Sequence, residues 1–280
     1  MSSNESGQNT TADLRVAVLG AGKMGGILLQ AFVRSGLFTA DKIVATVAHD
    51  LRAEALSKQL GFAVTTDNRR AVEGADIVLL AVKPTQVVQL VREVALSFKQ
   101  GVLLLSIAAS VKTTAIEEAA EGLTPVIRAM PNTPAMLGAG ITALCRGRFV
   151  TDEQLALAQK IFSTVGRVVV VDERHMDAVT GLSGSGPAFL YIILESLAEA
   201  GVNVGLPREI ATQLAAQTAY GAAKMVLETG SHPALLKDEV TTPAGCTVDG
   251  ILELEEGGLR VTLIKAVKRA TERARELAGD

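Results

Sequence analysis

An apolar run, Arg15-Val16-Ala17-Val18-Leu19, passes directly into Gly20-Ala21-Gly22-Lys23-Met24-Gly25 and then into a stretch of helical period that closes at Gly36. The order of buried strand, glycine turn and helix constrains the fold more than any other feature of the chain. A strand and a helix joined by so short a turn must lie against each other as the start of a βαβ unit. Gly20 permits the tight turn, Gly22 lets main chain approach a bulky anion, and Gly25 lets the helix pack close to the strand. The competing reading is a glycine-rich turn without a ligand. Its position after a strand and at a helix start argues instead for a dinucleotide site.

The pattern that follows supports this. Strands are expected at 42–47, 63–65, 77–81, 102–106, 125–129, 141–145 and 167–171, with helices at 24–35, 51–60, 68–72, 85–96, 113–120 and 152–164. Strands alternating with helices predict a doubly wound, Rossmann-type α/β sheet. After Asp172 the period becomes helical, with helices expected at 174–182, 186–201, 208–229, 235–240, 248–256 and 259–278 and no strand. The expected division is a disordered tail over 1–13, a dinucleotide-binding domain over 14–172 and an all-helical domain over 173–280. The stretch Phe189-Leu190-Tyr191-Ile192-Ile193-Leu194 is apolar nearly all round a helix. A region of roughly 110 residues has little interior to hide such a helix, so a homo-oligomer built through the helical domain is expected.

Composition excludes several classes. The chain of 280 residues is 48% hydrophobic and 20% charged with net charge −3, so a core is within reach and no basic field suits nucleic acid. Trp is absent and aromatics are only 3%, which disfavours base stacking. The polar N-terminus does not read as a signal peptide, and the most apolar later stretch, 187–204, holds Glu195 and Glu199, so neither export nor a membrane span is expected. Cys145 and Cys246 make no disulfide framework and fit a reducing, cytoplasmic setting. His49, His175 and His232 show no metal spacing, and His232 beside Pro233 reads as a helix-start residue.

Further constellations carry chemistry. An NAD-preferring fold places an acid at the tip of the second strand, about 20 residues past the glycines. Here the tip reads Ala45-Thr46-Val47-Ala48-His49-Asp50-Leu51-Arg52. Thr46, His49 and Arg52 could accommodate a 2′-phosphate, which points to NADP(H); Asp50 could instead meet the ribose and admit NAD(H). Ala81-Val82-Lys83-Pro84 ends a strand where open α/β sheets place ligands, and Pro84 pins its loop. In Arg128-Ala129-Met130-Pro131-Asn132-Thr133-Pro134, the amide of Asn132 either meets a nicotinamide carboxamide or satisfies its own loop. Gly181-Leu182-Ser183-Gly184-Ser185-Gly186-Pro187 punctuates the start of the apolar helix.

The C-terminal half is interrupted at Thr242-Pro243-Ala244-Gly245-Cys246-Thr247, just before another helix. Unpaired N–H groups at such a junction seat a carboxylate. Two readings compete for Thr247: its hydroxyl meets a polar ligand atom, or it N-caps a helix starting near Val248. Spacing alone favours the cap. An anion loop in one half and a cofactor loop in the other imply a redox enzyme acting on a small acid.

Together these segments resemble pyrroline-5-carboxylate reductases. The likeness runs from about Arg15 to Glu276 and is most specific in AVLGAGKMG (17–25), LLAVKP (79–84), RAMPNTP (128–134), TGLSGSGPA (180–188), GAAKMV (221–226) and LKDEVTTPAGCTVDGILELEEGG (236–258). The resemblance implies reduction of 1-pyrroline-5-carboxylate to L-proline with NAD(P)H, NADP(H) preferred and NAD(H) possible, in a homodimer or ring of dimers. It implies that Leu19, Gly20, Ala21, Gly22, Lys23 and Met24 hold the pyrophosphate and that Asn68 meets the adenosine ribose region. Ala81, Val82, Lys83 and Pro84, with Ile107, Ala108 and Ala109, would line the rest of the dinucleotide groove. Gly245, Cys246 and Thr247 would give backbone donors to the substrate carboxylate beside Thr242, with the catalytic hydroxyl of Thr247 near the ring nitrogen. The loop departs from the commoner SPGG[TA]T by carrying Ala244 and Cys246, and Phe189 stands where many members have Tyr. Two rivals remain at this stage. A β-hydroxyacid dehydrogenase or imine reductase would use an ionisable residue near the domain junction, here Asp177; a non-catalytic dinucleotide sensor would have no need of the TTPAGCT loop.

Overall fold

The computed structural model describes residues 11–243 and 245–278. Of the tail expected over 1–13, residues 1–10 lie outside the described residues, and Thr11–Asp13 form a 3-10 turn. The chain divides into two compact units, residues up to Gly184 together with Thr271 onward, and Ser185–Ala270. The change of sequence period near 172 marks the end of the last strand, which precedes this division by about a dozen residues.

The first unit is a single eight-stranded sheet. Its strands are β1 Val16–Leu19, β2 Ile43–Thr46, β3 Ala63–Thr65, β4 Ile77–Leu80, β5 Leu103–Ser106, β6 Val126–Met130, β7 Gly140–Arg146 and β8 Gly166–Val170. They lie in the order β3-β2-β1-β4-β5-β6-β7-β8. The first six run parallel, with Leu19 opposite Thr46 on one side and Leu80 on the other. β7 is antiparallel to β6, with Arg128 opposite Cys145, and β8 follows β7 in parallel. The doubly wound expectation holds for this sheet; the reversal at β7 has no signature in a hydrophobic strand pattern.

Alternation along the strands builds two cores. Val16, Val18, Ile77, Leu79, Leu103 and Leu105 point to one face, where helix α1 (Lys23–Ser35) adds Leu28 and Phe32 and helix α6 (Asp152–Ser163) adds Ile161 and Phe162. Ala17, Leu19, Val78, Leu80 and Leu104 point to the other. There they meet α3 (Asn68–Val72), α4 (Pro84–Val94) and α5 (Thr113–Ala119) through Val72, Val87, Val91 and Ile116. Strands buried on both faces are the reason these segments are continuous apolar runs. Helix α2 (Asp50–Leu60) buries only Ala53 and leaves most of its surface to solvent.

Between β8 and the second unit the chain forms a 3-10 turn Glu173–His175, the short helix α7 (Met176–Val179) and a π-type turn Thr180–Gly184, where the sequence predicted one helix over 174–182. The second unit is helical, with α8 Gly186–Asn203, α9 Arg208–Thr229, α10 Pro233–Glu239 and α11 Cys246–Glu256. Helix α12, Leu259–Ala278, begins in this unit, and its last turns belong to the first. α8 and α9 form a hairpin: a side chain at Gly201 would meet Ala211 Cβ at 2.8 Å, and Arg208 forks onto Glu199 at 2.6 and 3.0 Å. In the described helices of this unit the buried residues are Ala198 and Ala211, whereas Leu190, Tyr191, Ile192 and Leu214 are more than half exposed.

Candidate active site

A groove of about 650 Å³ opens at the carboxyl ends of β1, β2 and β4, where the strand order reverses around β1. That is the place where open α/β sheets bind ligands, and the volume suits a cofactor-sized molecule. Its wall is the glycine turn. Gly20 has φ +98°, and a Cβ there would sit 2.9 Å from the Ala81 carbonyl oxygen. A Cβ on Gly25 would lie 2.3 Å from the Gly20 carbonyl oxygen, so only glycine lets α1 approach this closely. At Gly22 nothing lies within 4 Å of a built Cβ: the main chain there is bare, as close approach of a pyrophosphate needs.

Of the residues singled out from sequence, the groove brings together Gly20, Ala21, Gly22, Thr46, His49, Arg52, Asn68, Ala81, Val82 and Lys83. The others act around it. Leu19 is fully buried core, and Met24 packs against the core. Lys23 and Pro84 open α1 and α4. Ile107, Ala108 and Ala109 follow β5, where the Ile107 N–H donates to the Leu80 carbonyl at 3.1 Å. The buried Thr46 is a brace, its hydroxyl accepting from the Gly20 N–H at 3.2 Å. Sequence reasoning missed Gln86, Gln89 and Glu93, which also line the groove. A signal existed: they recur at three and four residues, a polar stripe on α4 beside the buried Val87, Leu90, Val91 and Val94.

Asn132 serves its own loop. Its Oδ1 accepts from the Ile141 N–H at 3.0 Å and its Nδ2 donates to the Ser183 carbonyl at 3.2 Å. Of the two readings its sequence allowed, the structure uses the local one, so Asn132 ties the β6 loop to the 180–184 turn. Asp177 sits against a buried charge, although neither its Oδ1 nor Arg128 Nη2 has a hydrogen-bond partner among the described residues. The buried Arg128 guanidinium stands 3.6 Å from Asp177 Oδ1 and 3.6 Å from Glu173 Oε1. Glu173 in turn accepts from the Thr113 N–H and hydroxyl at 2.7 and 2.8 Å. Asp177 faces this guanidinium and is not among the residues that line the groove, which removes the main support for the dehydrogenase-type alternative. Beside this network, burial and the charge of Glu173 push the Cys145 thiol up to about 12, so it is inert.

In the second unit, the stretch that precedes α11 is a tight turn. The Gly245 N–H donates to the Thr242 carbonyl at 3.0 Å, and a Cβ on Gly245 would collide with Thr242 Oγ1 at 2.4 Å. Ala244 lies outside the described residues. α11 starts at Cys246 with Gly245 as its N-cap. This corrects the reading that Thr247 caps a helix beginning at Val248: Thr247 lies inside the first turn, and its hydroxyl is not the cap. The Gly245 N–H, expected to face a carboxylate, is used within the turn. Cys246 and Thr247, at the first helical positions, have N–H groups with no acceptor inside the helix by geometry. His232 caps α10, its Nδ1 accepting from the Ala234 N–H at 3.2 Å. Among the described residues no group of three or more His, Cys, Asp or Glu is placed to hold a metal ion. No helix among them is long and apolar enough to cross a membrane.

A doubly wound sheet with a bare glycine turn at its switch point, followed by a helical region, is the architecture of a dinucleotide-binding protein. Comparisons with known proteins narrow this. Residues 173–277 match the family described as pyrroline-5-carboxylate reductase dimerisation, and residues 15–110 match that described as NADP oxidoreductase coenzyme F420-dependent. The chain is 44% identical to a pyrroline-5-carboxylate reductase of Methanosarcina acetivorans, over 94% of this chain and 97% of that one. Among solved structures, a pyrroline-5-carboxylate reductase from Coxiella burnetii superposes with a TM-score of 0.88 at 36% identity, covering 94% of this chain and 98% of that one. The Plasmodium falciparum pyrroline carboxylate reductase with NADP bound gives 0.86 at 26% identity, covering 95% and 99%. The chain belongs to the pyrroline-5-carboxylate reductase family.

Proposed function

We propose that this protein reduces 1-pyrroline-5-carboxylate to L-proline with NADPH, NADH serving less well. The observation that carries this reading is that the likeness to these reductases spans both halves of the chain, glycine turn and TTPAGCT segment alike. A nicotinamide held in the groove would supply a hydride for the imine carbon, C5, and a proton already on the ring nitrogen would complete the secondary amine. The chain's task is to bind and orient. Gly20, Ala21 and Gly22 offer main chain to the pyrophosphate, with Thr46 holding Gly20 in place. Asn68, Ala81, Val82 and Lys83 line the rest of the groove. Leu19, Lys23, Met24, Gly25, Pro84, Ile107, Ala108 and Ala109 shape it from behind.

At the start of α11, the Cys246 and Thr247 N–H groups meet the substrate carboxylate, and Gly245 and Thr242 set the turn that presents them. The Thr247 hydroxyl holds the ring nitrogen. A protonated imine is already electrophilic, so orientation does most of the work and no strong acid is needed. The helical region pairs with a second copy, as its exposed apolar helices demand, and dimers assemble further into rings in the cytoplasm. The test is loss of nicotinamide absorbance on adding pyrroline-5-carboxylate, run with each cofactor. Oxidation of NADPH with L-proline formed is expected; no oxidation of either cofactor would leave a dinucleotide-binding protein of another kind.

A further inference from the structure

The loop between β5 and α5 holds a strained serine whose side chain reaches the far end of the sequence. What it does there is an inference that rests on the groove holding NADPH. In a doubly wound sheet the two halves of a dinucleotide lie on either side of the strand-order reversal. With pyrophosphate at the glycine turn, the adenosine half falls toward β2 and β3, where Thr46 and Asn68 stand. The nicotinamide half falls toward β4 and β5, and the segment Ile107-Ala108-Ala109 leaves β5 on that side.

The start of the segment is fixed by the Ile107 N–H on the Leu80 carbonyl at 3.1 Å and the Ala108 N–H on the Ser106 hydroxyl at 3.4 Å. The loop's other end is fixed where Thr113 donates to Glu173. Between them stands Ser110, with φ +61°. Glycine enters that left-handed region freely and serine does not. One other described non-glycine residue shares it, Glu121, which stands just past the end of α5, a common place for such a turn. Ser110 follows no helix. A strained residue persists only where its surroundings over-determine it.

Here the determinant is visible. Ser110 is buried, and its hydroxyl donates to the Ala274 carbonyl at 2.9 Å, across 164 residues of sequence. Ala274 is the buried residue of α12, in the last turns that belong to the sheet unit. Inside a helix that carbonyl already meets the N–H four residues on, so the bond serves Ser110 and its loop rather than an acceptor in need. We infer that Ser110 is a positioning residue for the nicotinamide half of NADPH, its hydroxyl clasping segment 107–109 to the end of α12. The end of α12 thereby helps to place the cofactor, although none of its residues lines the groove.

Calorimetric titration of the intact protein with NADPH, and with adenosine 2′,5′-bisphosphate as the adenosine half alone, tests this without turnover. Ser110→Gly accepts the backbone and removes the hydroxyl. It should weaken NADPH by about threefold to tenfold, the worth of one hydrogen bond, and leave the bisphosphate within about twofold. Ser110→Ala removes the hydroxyl and keeps the strain, so it should show the same selective loss at a lower thermal midpoint. Wild-type affinity for NADPH in Ser110→Gly would reduce Ser110 to a turn residue and overturn the inference. Equal loss for both nucleotides would mean a general disturbance of the sheet unit and overturn it as well. Selective loss in a protein that fails to oxidise NADPH with pyrroline-5-carboxylate would sink the proposed reaction and leave the inference standing. Failure of wild type to bind NADPH would overturn both.

Discussion

The sheet unit and the helical unit solve the problem of hiding apolar surface in opposite ways. In the sheet, β1, β4 and β5 are covered on both faces by helices of the same chain, and residues such as Leu19, Leu28 and Leu104 are fully buried. In the helical unit Ile192 at the middle of α8 is 62% exposed, and buried positions are alanines. One region is complete in a single copy. The other has the composition of an interior without the thickness to make one, which is the signature of a region that folds around its partner. A nucleotide groove built on the first therefore needs no assembly, whereas a loop carried on the second is expected to depend on the pairing.

The comparison can be broken first at Arg128. If the sheet unit is self-supporting, its buried charges must be balanced internally, and Arg128 balances Glu173 and Asp177. Removing one partner of a buried pair costs about 3–5 kcal/mol; here both carboxylates keep some contact with water, so Arg128→Met should cost about 2 kcal/mol. A urea denaturation midpoint unchanged in Arg128→Met would show that the network carries no weight.

Thr247 sharpens the other side. Thr247→Ala should leave thermal stability within about 0.5 kcal/mol, because Gly245 and not Thr247 caps α11. Turnover should drop roughly tenfold, the worth of one hydrogen bond made in the transition state. Loss of stability with intact kinetics would return Thr247 to a structural role.

The smallest effect is at the foot of the sheet. Asp76 accepts from the Arg15 N–H at 2.8 Å and from Lys99 Nζ at 2.5 Å. Burial pushes its carboxyl up, but the Lys99 hydrogen bond, the Arg15 N–H and both positive charges outweigh that, leaving it below its usual value. A carboxyl lowered by folding contributes stability above its unfolded value of about 4 and loses it as pH falls through the folded value. Lys99 is half exposed, so solvent weakens the pair, and Asp76→Asn should cost about 0.5–1 kcal/mol at pH 7. The difference between variant and wild type should vanish near pH 2. A difference that persists there would mean packing, not charge, is lost.

Sequence and structure agree where a single local rule decides. The apolar runs of β1, β4 and β5 read as strands because both faces are buried, and the three glycines read as a turn because only glycine avoids the collisions at positions 20 and 25. Reading stops where two local options compete. Asn132 suited a ligand or its own loop, Thr247 a ligand or a cap, and for Asp50 the residues around it suggested the ribose alone. In each case the choice depends on a residue distant in sequence or on a turn of unknown length: Ser183 for Asn132, the early start of α11 for Thr247, Thr66 for Asp50. The antiparallel β7 was out of reach for the same reason, since direction is a property of the pair and not of the strand.

The division of labour between the two regions is tested most directly by Ile192→Glu. A charge placed in the apolar helical surface should cost several kcal/mol on association, weakening it more than about a hundredfold. The protein is expected to sediment as a monomer, to lose pyrroline-5-carboxylate reduction, and to bind adenosine 2′,5′-bisphosphate with affinity within about twofold of wild type. A monomer that still reduces the imine at full rate, or nucleotide affinity that collapses along with turnover, would contradict the account.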